Sequence, residues 1–480
     1  MPDQSVTPQP VLVRGGTVVT EEGQRRADVL CVAGKIAVVG ERLEAPAGGA
    51  VIDAGGCLVM PGGLDQHTHM RLPMMGTHVA DDFLSGTAAA ASGGTTTLLD
   101  FVGPERGQSP LEALRLRLGE AAIASVDYGF HMTVSWWGDR FSEEMGPLVA
   151  EHGVTSFKFF TAYKGALMLP DEDIIRGFVR CRELGALPQI HAEHGDLIAY
   201  LQAKLLRQGD VGPSAHARSR PSQLEGEATH RVITIAEIVD VPLYVVHVSA
   251  AEAAEFIGRA RRRGLRVIGE TLPGFLAIDD AVYQDPDFDQ AAGHVMSPPF
   301  RPRGHPEALW RAVEDGALTT TGTDHCCFTR EQKRQGKDRF TSIPNGVGSV
   351  EDRLHIVWHL GVNGGHLSPE RFVSVTSANA ARAYNLWPRK GSLQVGADAD
   401  VAVLDPARTK TISARTQRQR TDFSIWEGRE VRGVVVHTLA GGRHVYADGD
   451  LRAEAGSGRF LKRAPFGPAY EPAAGQRTPR

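Results

Sequence analysis

Cysteine is scarce in this chain: five in 480 residues (Cys31, Cys57, Cys181, Cys326 and Cys327), with no C-x-x-C spacing. The scarcity excludes a disulfide-framed fold and a cysteine-based zinc or redox motif, and it favours free thiols in a reducing compartment. Long apolar runs are missing too. No stretch reaches the roughly 18 residues that a spanning helix needs, and residues 1–10 lack the apolar region of a secretory signal. A cytoplasmic protein with no membrane partner is therefore expected. Charge of one sign is not in excess: the net charge is -5 at pH 7, which gives no reason to expect nucleic acid or an anionic surface as partner. The run Arg261-Arg262-Arg263 reads as a solvated helix end. Neither Gly34-Lys35 nor Gly336-Lys337 is followed by Ser or Thr, so no phosphate-binding loop is indicated.

What is present is glycine, 54 residues, and enough length for a large domain plus an accessory one. The first 60 residues read as short strands, among them Val11-Leu12-Val13, Thr17-Val18-Val19 and Val51-Ile52, broken by glycine-rich or acidic turns. The same texture returns at Val401-Ala402-Val403-Leu404, at 431–437 and at His444-Val445-Tyr446. One small β domain built from both termini is the expectation; two separate β appendages are the alternative. Between these ends, apolar runs at Leu98-Leu99, 129–134, 156–160, 187–191, 243–247, 265–269 and 319–324 alternate with helical stretches at 81–92, 111–125, 171–184, 222–238, 250–262 and 306–314. With the strand that enters His67 this makes eight β units, which suggests a closed parallel (β/α)₈ barrel; a doubly wound open sheet is the rival.

Chemistry gathers at the strand ends. His67 and His69 stand two apart in Asp65-Gln66-His67-Thr68-His69, so on an extended strand both point one way and can converge on one ion. Alone such a pair is weak, since histidine pairs on strands are common. Its company is strong: His191 ends the fifth expected strand, His247 the sixth and Asp324 the eighth, while Lys158 lies within the fourth. A barrel brings strand C-termini to one rim, where active sites are built, and that convergence decides for the barrel over the open sheet. Lys158 is the odd member, because an ammonium repels metal. Between Phe157 and Phe159, burial should lower its pKa below the ordinary ~10.4. A neutral amine can add carbon dioxide and become a carbamate, an anionic two-oxygen ligand able to bridge two ions. Snorkelling to solvent, or pairing with a carboxylate, remains the alternative.

The strings Gly62-Gly63-Leu64-Asp65-Gln66-His67-Thr68-His69, Gly93-Gly94-Thr95-Thr96-Thr97, Ser156-Phe157-Lys158-Phe159-Phe160-Thr161-Ala162-Tyr163-Lys164, His191-Ala192-Glu193, Met296-Ser297-Pro298-Pro299 and Ile343-Pro344-Asn345-Gly346 resemble dihydropyrimidinases and D-hydantoinases. The resemblance runs from Val11 to Tyr446. It implies a TIM-like amidohydrolase barrel with a β-sandwich from both termini: 1–60 and 393–450 as sandwich, 61–392 as barrel, and 451–480 as a tail, partly mobile or contacting a neighbouring subunit. A homotetramer, or failing that a homodimer, is implied as well.

By the same resemblance His67 and His69 hold one ion, His191 and His247 a second, and carboxylated Lys158 bridges them. Asp324 binds the first ion and serves as acid and base, and Tyr163 donates to the oxyanion. Ser297 and Asn345 grip the ureide edge through main-chain groups. Zinc suits imidazole and carboxylate-like donors. The implied activity opens the cyclic amide of dihydropyrimidines or 5-substituted hydantoins to N-carbamoyl amino acids. Allantoinase and dihydroorotase are rivals with the same metal cluster. The collapsin-response-mediator proteins are a non-enzymatic alternative whose ligands are lost, whereas all six are present here.

Three positions depart from the family pattern: Arg71, His194 and the Leu272 string Thr271-Leu272-Pro273-Gly274. None is a proposed ligand, so they bear on substrate shape. Leu72, Pro73, Met74, Met75 and Phe160 are expected to wall an apolar pocket for the ring substituent. His325, beside Asp324, should face away from the metals, and His131, His152, His294 and His366 read as ordinary histidines.

Overall fold

The computed structural model describes residues 8–466. Eight parallel strands follow one another in sequence order around a barrel: β1 (Gly63–Thr68), β2 (Thr95–Val102), β3 (Asp127–Thr133), β4 (Ser156–Phe160), β5 (Leu187–His191), β6 (Leu243–Val245), β7 (Val267–Thr271) and β8 (Thr320–Thr321). The sequence runs apolar, with buried residues on both faces, as strands under a helical coat must. Helices α1 (Phe83–Ser92), α2 (Pro110–Ala121), α3 (Asp139–Ala150), α4 (Asp171–Leu184), α5 (Ser222–Val239), α6 (Ala251–Arg262) and α7 (His305–Glu314) supply the crossovers. Local chemistry sets their ends. Asp82 and Ser85 form a capping box at the start of α1, and Gly185 ends α4 in the left-handed conformation at φ 63°.

Closure is the weak point of the cylinder, because β8 is only two residues long. Two devices replace a ladder. Thr68 bridges His325, whose carbonyl accepts from the His69 amide at 2.8 Å. Below that, the fully buried Arg353 guanidinium donates to Leu64 O in β1 (3.0 Å) and to Thr321 O in β8 (2.8 Å). The expected strand at 319–324 is shorter because Gly322 lies against the Glu270 and Gln66 side chains, where no Cβ fits. Thr323 then turns to donate its hydroxyl to Asp65 at 2.6 Å. The strand expected at 265–269 is observed two residues later, since the Leu265 amide still closes α6 by bonding Ala260 O.

Both termini share one β-sandwich, as expected. A four-stranded sheet orders Lys35–Gly40, Asp28–Val32, Val11–Arg14 and Ala50–Asp53. A seven-stranded sheet holds Val401–Thr411 beside Leu58–Pro61 in antiparallel register, Val403 opposite Val59. Val13, Val29 and Val59 from one end and Val401, Val403 and Leu439 from the other pack into a single core. The described part of the tail lies on its own barrel: Phe460 bridges Tyr128, and Arg459 pairs with Asp127 at 2.7 Å. Residues 467–480 of the expected tail lie outside the described residues. All five cysteines are free thiols, and among the described residues no helix is long and apolar enough to cross a membrane.

Candidate metal centre

The C-terminal rim of the barrel carries every ligand expected from the strand ends. The pleat of β1 places His67, fully buried, and His69 just beyond it on one side. Their Nε2 atoms lie 3.1 and 3.0 Å from Asp324 Oδ1. Lys158 Nζ stands 2.8 Å from the same His67 Nε2. On the other flank His191 Nδ1 faces His247 Nε2 at 2.9 Å. The His67 and His247 rings stack with centroids 5.4 Å apart, so the two flanks form one cluster.

Second partners fix which nitrogen each imidazole offers. His67 Nδ1 donates to Glu270 Oε1 at 2.7 Å, leaving the Nε2 lone pair aimed at Asp324. His191 Nε2 donates to Glu193 at 2.7 Å, leaving Nδ1 aimed at His247. Glu193 is held in turn by Arg220, and Glu270 also accepts from Gln66 (2.7 Å), Tyr244 (2.9 Å) and the His247 amide (2.9 Å). Orienting partners of this kind set the tautomer and basicity of a ligating histidine. His67 Nε2, His69 Nε2 and Asp324 Oδ1 lie close enough together to be offered to one cation. The donor set of imidazole nitrogens and a carboxylate oxygen fits a divalent metal.

Lys158 is 2% exposed and, among the described residues, has no ion pair within 4 Å, so neither snorkelling nor a carboxylate partner describes it. Burial pulls its pKa from 10.5 down to about 8, against the opposing pull of Asp324 and Glu270. Asp324 runs the other way: burial raises it, but His67 and His69, when they carry protons, outweigh that and hold the carboxyl well below its usual range.

Tyr163 stacks obliquely by His191, centroids 5.0 Å apart, and its side chain hydrogen-bonds Ser297; burial raises the phenol pKa and keeps it a donor. Asn345 Nδ2 donates to Ser297 Oγ at 3.1 Å. The three expected substrate contacts thus meet beside the second imidazole pair. Three site residues, Tyr163 (φ 64°), His247 (φ 39°) and Asp324 (φ 49°), sit in left-handed backbone, a strained conformation for side chains of their size.

Phe160 lies beside this group, its ring 6.0 Å from Tyr163 and 5.8 Å from His191. Leu72 and Met74 pack instead against Val79 and the 326–328 segment, Met74 in a small hairpin Pro73–Met74 with Thr77–His78. His325 donates to Asp81 at 3.0 Å, away from the centre as its neighbour position implied. Of the departures, His194 caps the helix Gly195–Arg207, accepting from the Leu197 amide, and Leu272 is buried. Glu270, Glu193, Arg220 and Arg353 received no role from the sequence.

Residues 58–452 match the amidohydrolase family. Dihydropyrimidinase of Dictyostelium discoideum is 45% identical over 463 residues, 96% of this chain and 92% of that protein. D-hydantoinase of Geobacillus stearothermophilus is 43% identical over 458 residues, 95% of this chain and 97% of its own length. The crystal structure of dihydropyrimidinase from Brevibacillus agri superimposes with a TM-score of 0.94 at 41% identity, covering 96% of this chain and 100% of that one. A chain with this barrel, this rim and these likenesses belongs to the amidohydrolase family. Within it the chain stands with the dihydropyrimidinases and D-hydantoinases, and it is a hydrolase.

Proposed function

We propose that the protein opens the cyclic amide of dihydropyrimidines or 5-substituted hydantoins, giving N-carbamoyl amino acids, with two divalent ions, zinc by donor type, held at the rim. The observation that carries this reading is the convergence of His67, His69, Lys158, His191, His247 and Asp324 from five strands beside Tyr163. His67, His69 and Asp324 would hold one ion, His191 and His247 the other, and a carbamate on Lys158 would bridge them; the buried amine, with a pKa lowered by that burial, supports the modification. When bound, two such ions supply a water activated near neutral pH and polarise the scissile carbonyl.

The chain's own groups do the rest. Asp324, as a carboxylate, takes the proton from the attacking water and returns it to the departing ring nitrogen. Tyr163 donates its phenolic hydrogen to the oxygen on which charge develops. Main-chain groups at Ser297 and Asn345 hold the ureide edge, a flat pattern of paired donors and acceptors. Phe160 is placed to pack on a ring substituent. The free thiols support a cytoplasmic location, and the full-length resemblance supports a homotetramer.

Ring-opening rates on dihydrouracil, a 5-aryl hydantoin, allantoin and dihydroorotate test the reading. Faster turnover of either of the first two supports it and tells which. Preference for allantoin or dihydroorotate overturns the substrate assignment, and no turnover of any by metal-loaded protein overturns the activity.

A further inference from the structure

Lys333 ends a short helix, Arg330–Lys333, yet its side chain is 1% exposed and, among the described residues, has no carboxylate within 4 Å. Its ammonium instead donates to three main-chain carbonyls, Val295 O, Pro344 O and Gly346 O, each at 2.7 Å. An ammonium has three N–H donors, so all are spent on backbone. Burial pulls the Lys333 pKa from 10.5 down to about 7, so the ammonium is held at a cost, which the three carbonyls, each at hydrogen-bond distance, offset.

The three carbonyls belong to two loops. Val295 precedes Met296-Ser297, while Pro344 and Gly346 flank Asn345. A direct bond from the Gly346 amide to Val295 O (2.9 Å) joins the loops at the same point. In a trans peptide the C=O and the following N–H point in opposite directions. Holding Pro344 O on Nζ therefore turns the Asn345 N–H away from Lys333. The neighbouring peptide is treated alike: buried His216 Nε2 donates to Met296 O at 2.8 Å, which fixes the direction of the Ser297 N–H.

We propose that Lys333 is a positioning residue for substrate recognition: it sets the spacing of the Ser297 and Asn345 loops and aims their peptide planes at the ureide edge. The proposal rests on the reading that those two residues grip the substrate through main-chain groups. It predicts a specificity effect with the metal centre left intact.

The test compares the holoenzyme with its Lys333→Met variant on dihydrouracil and on glutarimide, a cyclic imide that lacks the second ureide nitrogen. The expected result is a rise in KM for dihydrouracil of about tenfold or more, with KM for glutarimide nearly unchanged and metal content per chain equal to wild type. Unchanged KM for dihydrouracil, or equal losses on both substrates, or loss of metal would overturn the positioning role. If wild type itself does not prefer the ureide over the imide, the grip assigned to Ser297 and Asn345 fails, independently of Lys333. Should Lys333→Met not fold, Lys333→Arg keeps the charge but cannot set three N–H groups on three carbonyls from one nitrogen. It should raise KM for dihydrouracil alone, and a wild-type KM in that variant would refute the three-way clamp.

Discussion

Replacing Glu270 by Gln changes one atom in a fully buried carboxylate that serves four donors: His67 Nδ1, Gln66 Nε2, the Tyr244 hydroxyl and the His247 amide. The new amide can keep its oxygen on His67 and His247, with its NH₂ facing the other two. Tyr244 can then redirect its proton to Thr320 Oγ1, 2.8 Å away, and Gln66 can turn towards the new donor its Oε1, which has no hydrogen-bond partner. The fold should therefore tolerate the change, within about 1–2 kcal/mol of wild type. What disappears is the negative charge behind the His67 imidazole, which holds the proton on Nδ1 and strengthens Nε2 as a ligand. Orienting carboxylates of this kind are worth about 10–100-fold in metal affinity, or roughly 1.4–2.7 kcal/mol. Competition with a chelator of known affinity measures this directly, and denaturant unfolding of the metal-free protein checks the fold. A metal affinity within about twofold of wild type would refute the role assigned to Glu270.

Three further outcomes follow from the same geometry. Tyr163→Phe removes the donor without emptying its pocket, so steady-state kinetics should show kcat down about 10²–10³-fold with little change in KM; a pure KM effect would contradict oxyanion stabilisation. Lys158→Ala should lose metal and rate together, and a short carboxylate such as acetate, filling the space with a two-oxygen anion, should restore part of both; rescue by chloride instead would point to simple screening. Lys390→Met removes a cation shared by Asp127 at 2.7 Å, Asp398 at 3.0 Å and Asp400 at 2.6 Å, where the barrel meets the sandwich; Asp127 keeps Arg459 and Asp398 keeps Lys35 and Arg389, so buried Asp400 is the carboxylate left without an ion pair. Denaturant unfolding at neutral pH should show a loss of about 3–5 kcal/mol. Asp398 sets the pH dependence of this loss. Burial raises its pKa, but Lys390, Lys35 and Arg389 together depress it to about 2. Its stabilisation is therefore complete above the unfolded carboxylate range near pH 4 and is lost as pH falls through about 2. The mutational loss should shrink over that window.

The parts of the site that were legible in the sequence are those tied to strand periodicity. His67 and His69 share a face because a strand repeats every two residues, and His191 and His247 announce themselves by ending apolar runs. The partners that orient them were not legible. Glu270 meets His67 across 203 residues of sequence, and nothing local distinguishes it from a surface carboxylate. Arg353 and Lys333 had no assigned role in the sequence, yet one closes the barrel and the other joins two loops. The eighth strand was overdrawn for a related reason. Apolar pattern marks where strands can form, but the packing of Glu270 and Gln66 against Gly322, set by other strands, decides where this one stops. Both halves of the sandwich were recognisable because their alternation is a local property, and their pairing, Val403 against Val59, follows from a shared apolar face.

Metal bound per chain, measured on the purified protein after dialysis and again for Lys158→Ala, decides whether the rim holds a binuclear centre. About two divalent ions per wild-type chain are expected, with a marked loss in the variant in parallel with ring-opening activity. A wild-type chain that turns over substrate with no bound metal, or a Lys158→Ala chain that retains both ions and full rate, would contradict that expectation.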